Sequence, residues 1–144
     1  YKMENISDIM NRVIYQINYD HKEQKLEPNT VMIESPYSGD IEKNIAYARL
    51  CMHDSYFNHN EAPFVGHLLW TTLDSDSVTN AEHIPDSEEG RKQALMKCRL
   101  MRQKLGTVVF YTDRGWSNGM KLAAKEAVED GLCILYRTIE DIKQ

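Results

Sequence analysis

Thr107-Val108-Val109-Phe110-Tyr111 decides the fold. Five consecutive β-branched or aromatic residues with no charged or amide side chain describe a strand buried on both faces, and strands of that kind belong to parallel sheets covered by helices on two sides. The neighbouring segments agree. Upstream, Ala94, Cys98, Met101 and Leu105 share one side of a helix expected to run to about Lys104, opened by a capping-box pair, Asp86 and Glu89. Downstream, the loop Asp113 to Ser117 leads into a helix with Met120, Ala123, Ala124, Ala127 and Val128 on its inner face. That helix stops at Gly131, before a last strand from Leu132 to Tyr136.

Toward the amino terminus the same alternation repeats. Val31 to Ser35 is a short apolar run ended by Pro36 and Gly39, which suits a buried strand closing in a tight loop. Asp40 can cap the next helix, whose inward stripe reads as Ile41, Ile45, Ala48 and Met52. Ala62 to Leu69 is the following apolar segment, and Pro63 confines it to a strand start or a sheet edge. A polar loop from Asp74 to Asp86 separates it from the third helix. Before all of these, Ile6, Ile9, Met10, Val13, Ile14 and Ile17 recur at helical spacing, predicting an amphipathic helix from about Ser7 to Asn18 that covers the domain or a second copy. The polar stretch from Asp20 to Asn29, with Pro28, joins it to the main body. The fold class is α/β: a Rossmann-like or flavodoxin-like, mainly parallel sheet flanked by helices, with an extra amino-terminal helix. Residues 1–29 carry that helix and its connector, and 30–144 the α/β domain.

The chain has 144 residues, 42% hydrophobic and 27% charged, which suits one folded domain with a real core. Seventeen basic against twenty-two acidic residues give a net charge of −5, which opposes binding to a nucleic acid polymer. No apolar run approaches the ~20 residues that span a bilayer, and the first residues lack the layout of a secretory signal, so a cytoplasmic protein with no membrane partner is expected. Cys51, Cys98 and Cys133 lie far apart within apolar patterns and read as buried free thiols. His21, His53, His59, His67 and His83 show no paired spacing for a metal, and no cofactor is implied.

In a sheet of this class, ligands bind at the carboxyl ends of the strands. Gly115-Trp116-Ser117-Asn118-Gly119-Met120 lies there, combining free backbone N–H groups, a hydroxyl and the positive end of a helix, a natural cradle for an anion such as phosphate. Read blandly, Ser117 only caps the helix and the two glycines allow a sharp turn. Ser35-Pro36-Tyr37-Ser38-Gly39-Asp40 occupies the equivalent place after the first strand, with an aromatic face on which a sugar or base can stack. Its bland reading is a strand-to-helix turn with Asp40 as cap. His67 follows a strand and faces the same pocket. Arg91, Lys92, Arg99 and Arg102 fall within an arc of roughly 100° on the third helix, Arg91 nearest the pocket, and Arg137 just past the last strand is a further candidate.

Two segments carry a family resemblance. Ile33-Glu34-Ser35-Pro36-Tyr37-Ser38-Gly39-Asp40, followed by Asn44 and Tyr47-Ala48-Arg49, resembles the opening of nucleoside 2-deoxyribosyltransferase-like proteins, including small phage-encoded members. The segment from Val108 to Met120 is similar to their strand, loop and nucleotide-phosphate turn, and Leu135-Tyr136-Arg137 also fits, so the likeness covers about residues 31 to 138. The resemblance implies a Rossmann-like fold and, in the enzymes, cleavage of the bond between a base and deoxyribose, with a glutamate attacking the anomeric carbon or stabilising its charge. In the nucleotide hydrolases that glutamate lies six residues after the turn serine, a position that is Ala123 here. The upstream aspartate of many relatives is also absent near Cys98 and Arg99. Glu34, Asp40 and Asp113 are the carboxylates left near the pocket.

The expectation is a binder of a nucleotide or ADP-ribose-like molecule that does not cleave it, on the model of small phage proteins that sequester nucleotide immune signals in the host cytoplasm, and that assembles as a homo-oligomer. The alternative is a deoxyribosyltransferase or nucleotide N-glycosidase using Glu34, Asp40 or Asp113 as a relocated acid. A third reading is a structural or regulatory protein that has kept the fold and lost the pocket.

Overall fold

The computed structural model describes residues 5–11, 28–69 and 88–139. Its elements are α1, of which 6–11 are described, β1 (Asn29–Glu34), α2 (Ile41–Asn58), β2 (Glu61–Phe64), α3 (Gly66–Leu69), α4 (Glu88–Leu105), β3 (Thr107–Tyr111), α5 (Asn118–Glu129) and β4 (Cys133–Arg137). The four strands form one parallel sheet in the order β2-β1-β3-β4. The expected α/β class is therefore the one observed. All five residues of β3 are buried, as its unbroken apolar run requires. Pro63 lies in β2, an edge strand, where a residue without an N–H is tolerated.

Alternate residues of the inner strands feed two cores. Val31, Ile33, Val109 and Tyr111 pack with Val65 against Tyr47, Ala48 and Cys51 of α2. Val108 and Phe110 pack on the other face against Met120, Ala123 and Ala127 of α5. Gly131, with φ of 66°, adopts the left-handed conformation that turns the chain from α5 into β4.

Several boundaries and faces differ from the sequence reading. The buried face of α2 is Asn44, Tyr47, Ala48, Cys51, Asp54 and Ser55, whereas Ile41 and Met52 are 45% and 37% exposed. Polar residues occupy the inner face because each finds a partner there, so hydrophobicity does not mark it. On α5, Val128 points outward at 69% exposure. The apolar segment after α2 divides at Val65 into strand β2 and the short α3. Of the three thiols only Cys51 is buried, and Cys133 is exposed on edge strand β4. The remainder of the predicted first helix, the connector as far as residue 27, the loop Asp74 to Asp86 and the capping-box Asp86 lie outside the described residues. Among the described residues no helix is long and apolar enough to cross a membrane.

Candidate functional site

The strand order sets the place. β1 connects outward to β2 on one side, and the chain returns to β3 on the other, so the loops after β1 and β3 diverge at the topological switch point, where sheets of this class form their ligand crevice.

The loop after β1 is held from below. Ser35 and Pro36 are buried, Tyr37 is half-buried, and Ser38, Gly39 and Asp40 are exposed. Asn44, on the first turn of α2, donates its amide to the carbonyls of Tyr37 and Ser38 at 2.9 and 3.0 Å. Asp40 caps α2 by accepting the Lys43 N–H at 3.3 Å. Gly39, with φ of 102°, supplies a conformation that side chains resist. Beside this loop the Ser35 hydroxyl lies 3.4 Å from His67 Nε2, and the Tyr37 and His67 rings are 5.4 Å apart. Burial lowers the His67 pKa to about 4, so the imidazole is neutral at physiological pH.

The loop after β3 is fixed by Asp113 and Ser117. Asp113 accepts the Tyr47 hydroxyl from α2 and the Ile139 backbone N–H at 3.0 Å, tying the loop to the layer beneath it and to the chain beyond β4. The Arg114 guanidinium sits 5.0 Å from the centre of the Tyr47 ring. Ser117 caps α5 by accepting the Met120 N–H at 3.1 Å. Trp116, 40% exposed, packs beside the stacked rings of Phe110 at 5.1 Å and Tyr136 at 5.7 Å.

Asn118 and Gly119, both exposed, open α5, and the first amides of a helix have no partner within it. Gly119 differs from Gly39 and Gly115. It lacks the left-handed φ that those two adopt, and a Cβ built on it would meet only Ser117 Oγ at 3.8 Å, an ordinary contact. Neither the backbone nor packing requires a glycine there. What its missing side chain leaves open is approach to the helix start. The bland reading, in which both glycines allow a sharp turn, therefore fits Gly115 alone.

A family model described as Domain of unknown function (DUF7768) matches residues 29–137. The chain belongs to the DUF7768 family. The match runs from the first residue of β1 to the last of β4, so the family unit is the sheet with its connecting helices, and α1 lies outside it. No curated protein and no solved structure matches the chain.

Within this DUF7768 unit the three candidate acids hold structural partners. Glu34 is engaged by Arg102 of α4 at 3.0 Å, on the sheet face away from α2. Burial raises its pKa by more than Arg102 lowers it. Asp40 is a helix cap and Asp113 a loop tie. Ala123, where the resemblance places the catalytic glutamate, is 2% exposed within the core under α5.

The basic arc of α4 is also corrected. Arg102 is buried and shared between Glu34 at 3.0 Å and Glu126 at 3.2 Å. Arg99 binds Glu126, Glu129 and Asp130. Only Arg91 and Lys92 face solvent, at the start of α4. Arg137 is spoken for as well, because it grips Glu61 of β2 through both carboxylate oxygens at 2.7 and 3.2 Å. Glu126, one turn beyond Ala123, is turned into this ion cluster.

Three residues near the crevice escaped the sequence reading. Tyr47 and Tyr136 stood inside the quoted resemblance segments without a role, and Arg114 lay within the loop. Their signal was position beside a strand end, which periodicity does not reveal. Among the described residues no group of three or more His, Cys, Asp or Glu side chains could hold a metal ion.

Proposed function

We propose that the chain binds a nucleotide-type small molecule, an ADP-ribose-like one included, in the crevice between the loops after β1 and β3, and leaves it intact. The observation that carries the reading is the start of α5. Two exposed helix-end amides lie beside a glycine that neither conformation nor packing calls for, an arrangement that favours a phosphate oxygen approaching the backbone closely. Rings stand on both sides of the crevice, Tyr37 with His67 next to β1 and Trp116 with Tyr136 next to β3, and favour a ligand with a flat base.

Retention without cleavage follows from the acids. A glycosidic bond breaks when a carboxylate meets the developing charge at the anomeric carbon. The carboxylates nearest the crevice are committed to Arg102, to the cap of α2 and to Tyr47 with Ile139. In a phage setting such a binder would remove a nucleotide signal from solution by holding it.

The test is to purify the full chain, release any bound small molecule by heating and identify it by mass, then titrate deoxynucleoside monophosphates and ADP-ribose by calorimetry. Intact ligand and binding lost in Gly119→Asp but kept in Gly119→Ala are expected. Release of free base that disappears in Glu34→Gln, Asp40→Asn or Asp113→Asn would instead establish the relocated-acid enzyme. Neither binding nor turnover would leave a structural role.

A further inference from the structure

The outer surface of α2 carries side chains that a solvent-facing helix does not need. Ala46, Leu50, His53 and Phe57 are spaced four, three and four residues apart, the seam of a helix that packs against another helix. All four are exposed, with Leu50 at 51% and Phe57 at 67%. The His53 and Phe57 rings are 4.6 Å apart, and Tyr56, 59% exposed, leans on Phe57 at 4.8 Å, so the patch is contiguous. This stripe lies opposite the buried face of α2 and has no helix over it among the described residues.

α1 presents the complementary lack. Asn5 caps it, accepting the Asp8 N–H at 2.9 Å, and the apolar residues of its first turns stand in solvent: Ile6 at 76%, Ile9 at 40% and Met10 at 56%. Ile6 and Met10 begin a four, three, four spacing that the sequence continues at Val13 and Ile17, the same repeat as the seam on α2. The sequence thus carries two stripes of matching period, each bare at its described residues.

We propose that α1 of one copy docks along the Leu50–Phe57 seam of α2 in a second copy, giving a reciprocal two-fold dimer. Exchange between two copies covers both stripes at once and closes on itself, whereas packing α2 against α2 would leave α1 exposed. The dimer does not depend on the crevice or on its ligand.

The test mixes two full-length variants in a Cys133→Ser background, one carrying Ile9→Cys and the other Leu50→Cys, under mild oxidation. A disulfide joining the two different chains is expected. Sedimentation of the wild type should show a dimer at micromolar concentration, weakened at least about tenfold by Leu50→Glu, Phe57→Glu or Ile6→Glu, each at an exposed position with circular dichroism unchanged. A monomeric wild type, bridges only between two Leu50→Cys chains, or a bridge formed only within one chain carrying both changes would each overturn the proposal. Loss of ligand binding in the crevice variants would leave this result untouched.

Discussion

Each face of the sheet sets one arginine against carboxylates, Arg102 buried and Arg137 partly exposed, and the two faces use it differently. On the α2 face, Arg137 of β4 reaches Glu61 of β2, so one guanidinium joins the two outermost strands. Tyr111 donates to Asp54 at 2.8 Å and accepts from Arg137 at 3.1 Å, while Ser55 donates to Glu61 at 2.8 Å. Asn58 and His59 complete the shell of Asp54. On the opposite face Arg102 serves two carboxylates, Glu34 and Glu126, and its Nε has no partner among the described residues. One network is satisfied throughout and fastens the sheet edges. The other divides one guanidinium between a strand and a helix, tying Glu34 of β1 and Glu126 of α5 to α4.

That contrast can be broken most forcefully at Arg102. Arg102→Leu strips the guanidinium from Glu34 and leaves Glu126 with Arg99 alone, and should cost about 3–5 kcal/mol in urea unfolding, with much of the loss recovered when Glu34→Gln is added. Arg137→Leu should cost less, about 3 kcal/mol, because its carboxylate partner retains Ser55 as a donor. A loss at Arg102 no larger than at Arg137 would erase the distinction between the faces. The caps above the sheet are smaller levers: Ser117→Ala and Asp40→Ala should each cost about 1 kcal/mol of thermal stability.

Acid sharpens the comparison further, because the two faces respond with opposite sign. Asp54 lies below its ordinary range: burial opposes its charge, but hydrogen bonds from Asn58 and Tyr111 and the charges of His59 and Arg137 outweigh it. Its contribution is present above the unfolded value of 3.8 and is lost as pH falls through the lower folded value. Glu34 lies above its ordinary 4.5, so the folded state holds its proton more tightly, and stability declines as pH rises from there through the folded value. Urea midpoints measured against pH should therefore lose their acid-side fall in Asp54→Asn and their decline above about 4.5 in Glu34→Gln. At neutral pH Glu34→Gln, the mildest change of all, should cause no loss.

The legible part of the fold was the part whose burial is apolar. β3 reads directly because all five of its residues are inside, and Pro63 narrows its segment to a strand start or a sheet edge by chemistry alone, the edge being what is observed. The inner face of α2 was misread because Asn44, Asp54 and Ser55 lie on it, each satisfied by a partner that the pattern of one helix cannot supply. Arg102 read as one member of a basic arc because its partner Glu34 lies 68 residues away. The same reason hid the state of the candidate acids. Asp40 was readable as a local cap, but the commitments of Glu34 and Asp113 are long-range pairings that only the folded chain reveals. Gly119 was picked out as a turn former, and its ordinary backbone conformation needed coordinates.

Trp116 has a use beyond packing. An indole left 40% open, pressed against Phe110 and Tyr136 and two residues before the start of α5, sits where its emission must respond to anything that displaces water from that corner. The chain thus carries its own optical gauge, and were the proposed ligand to enter the crevice a fluorimeter would follow it without a label.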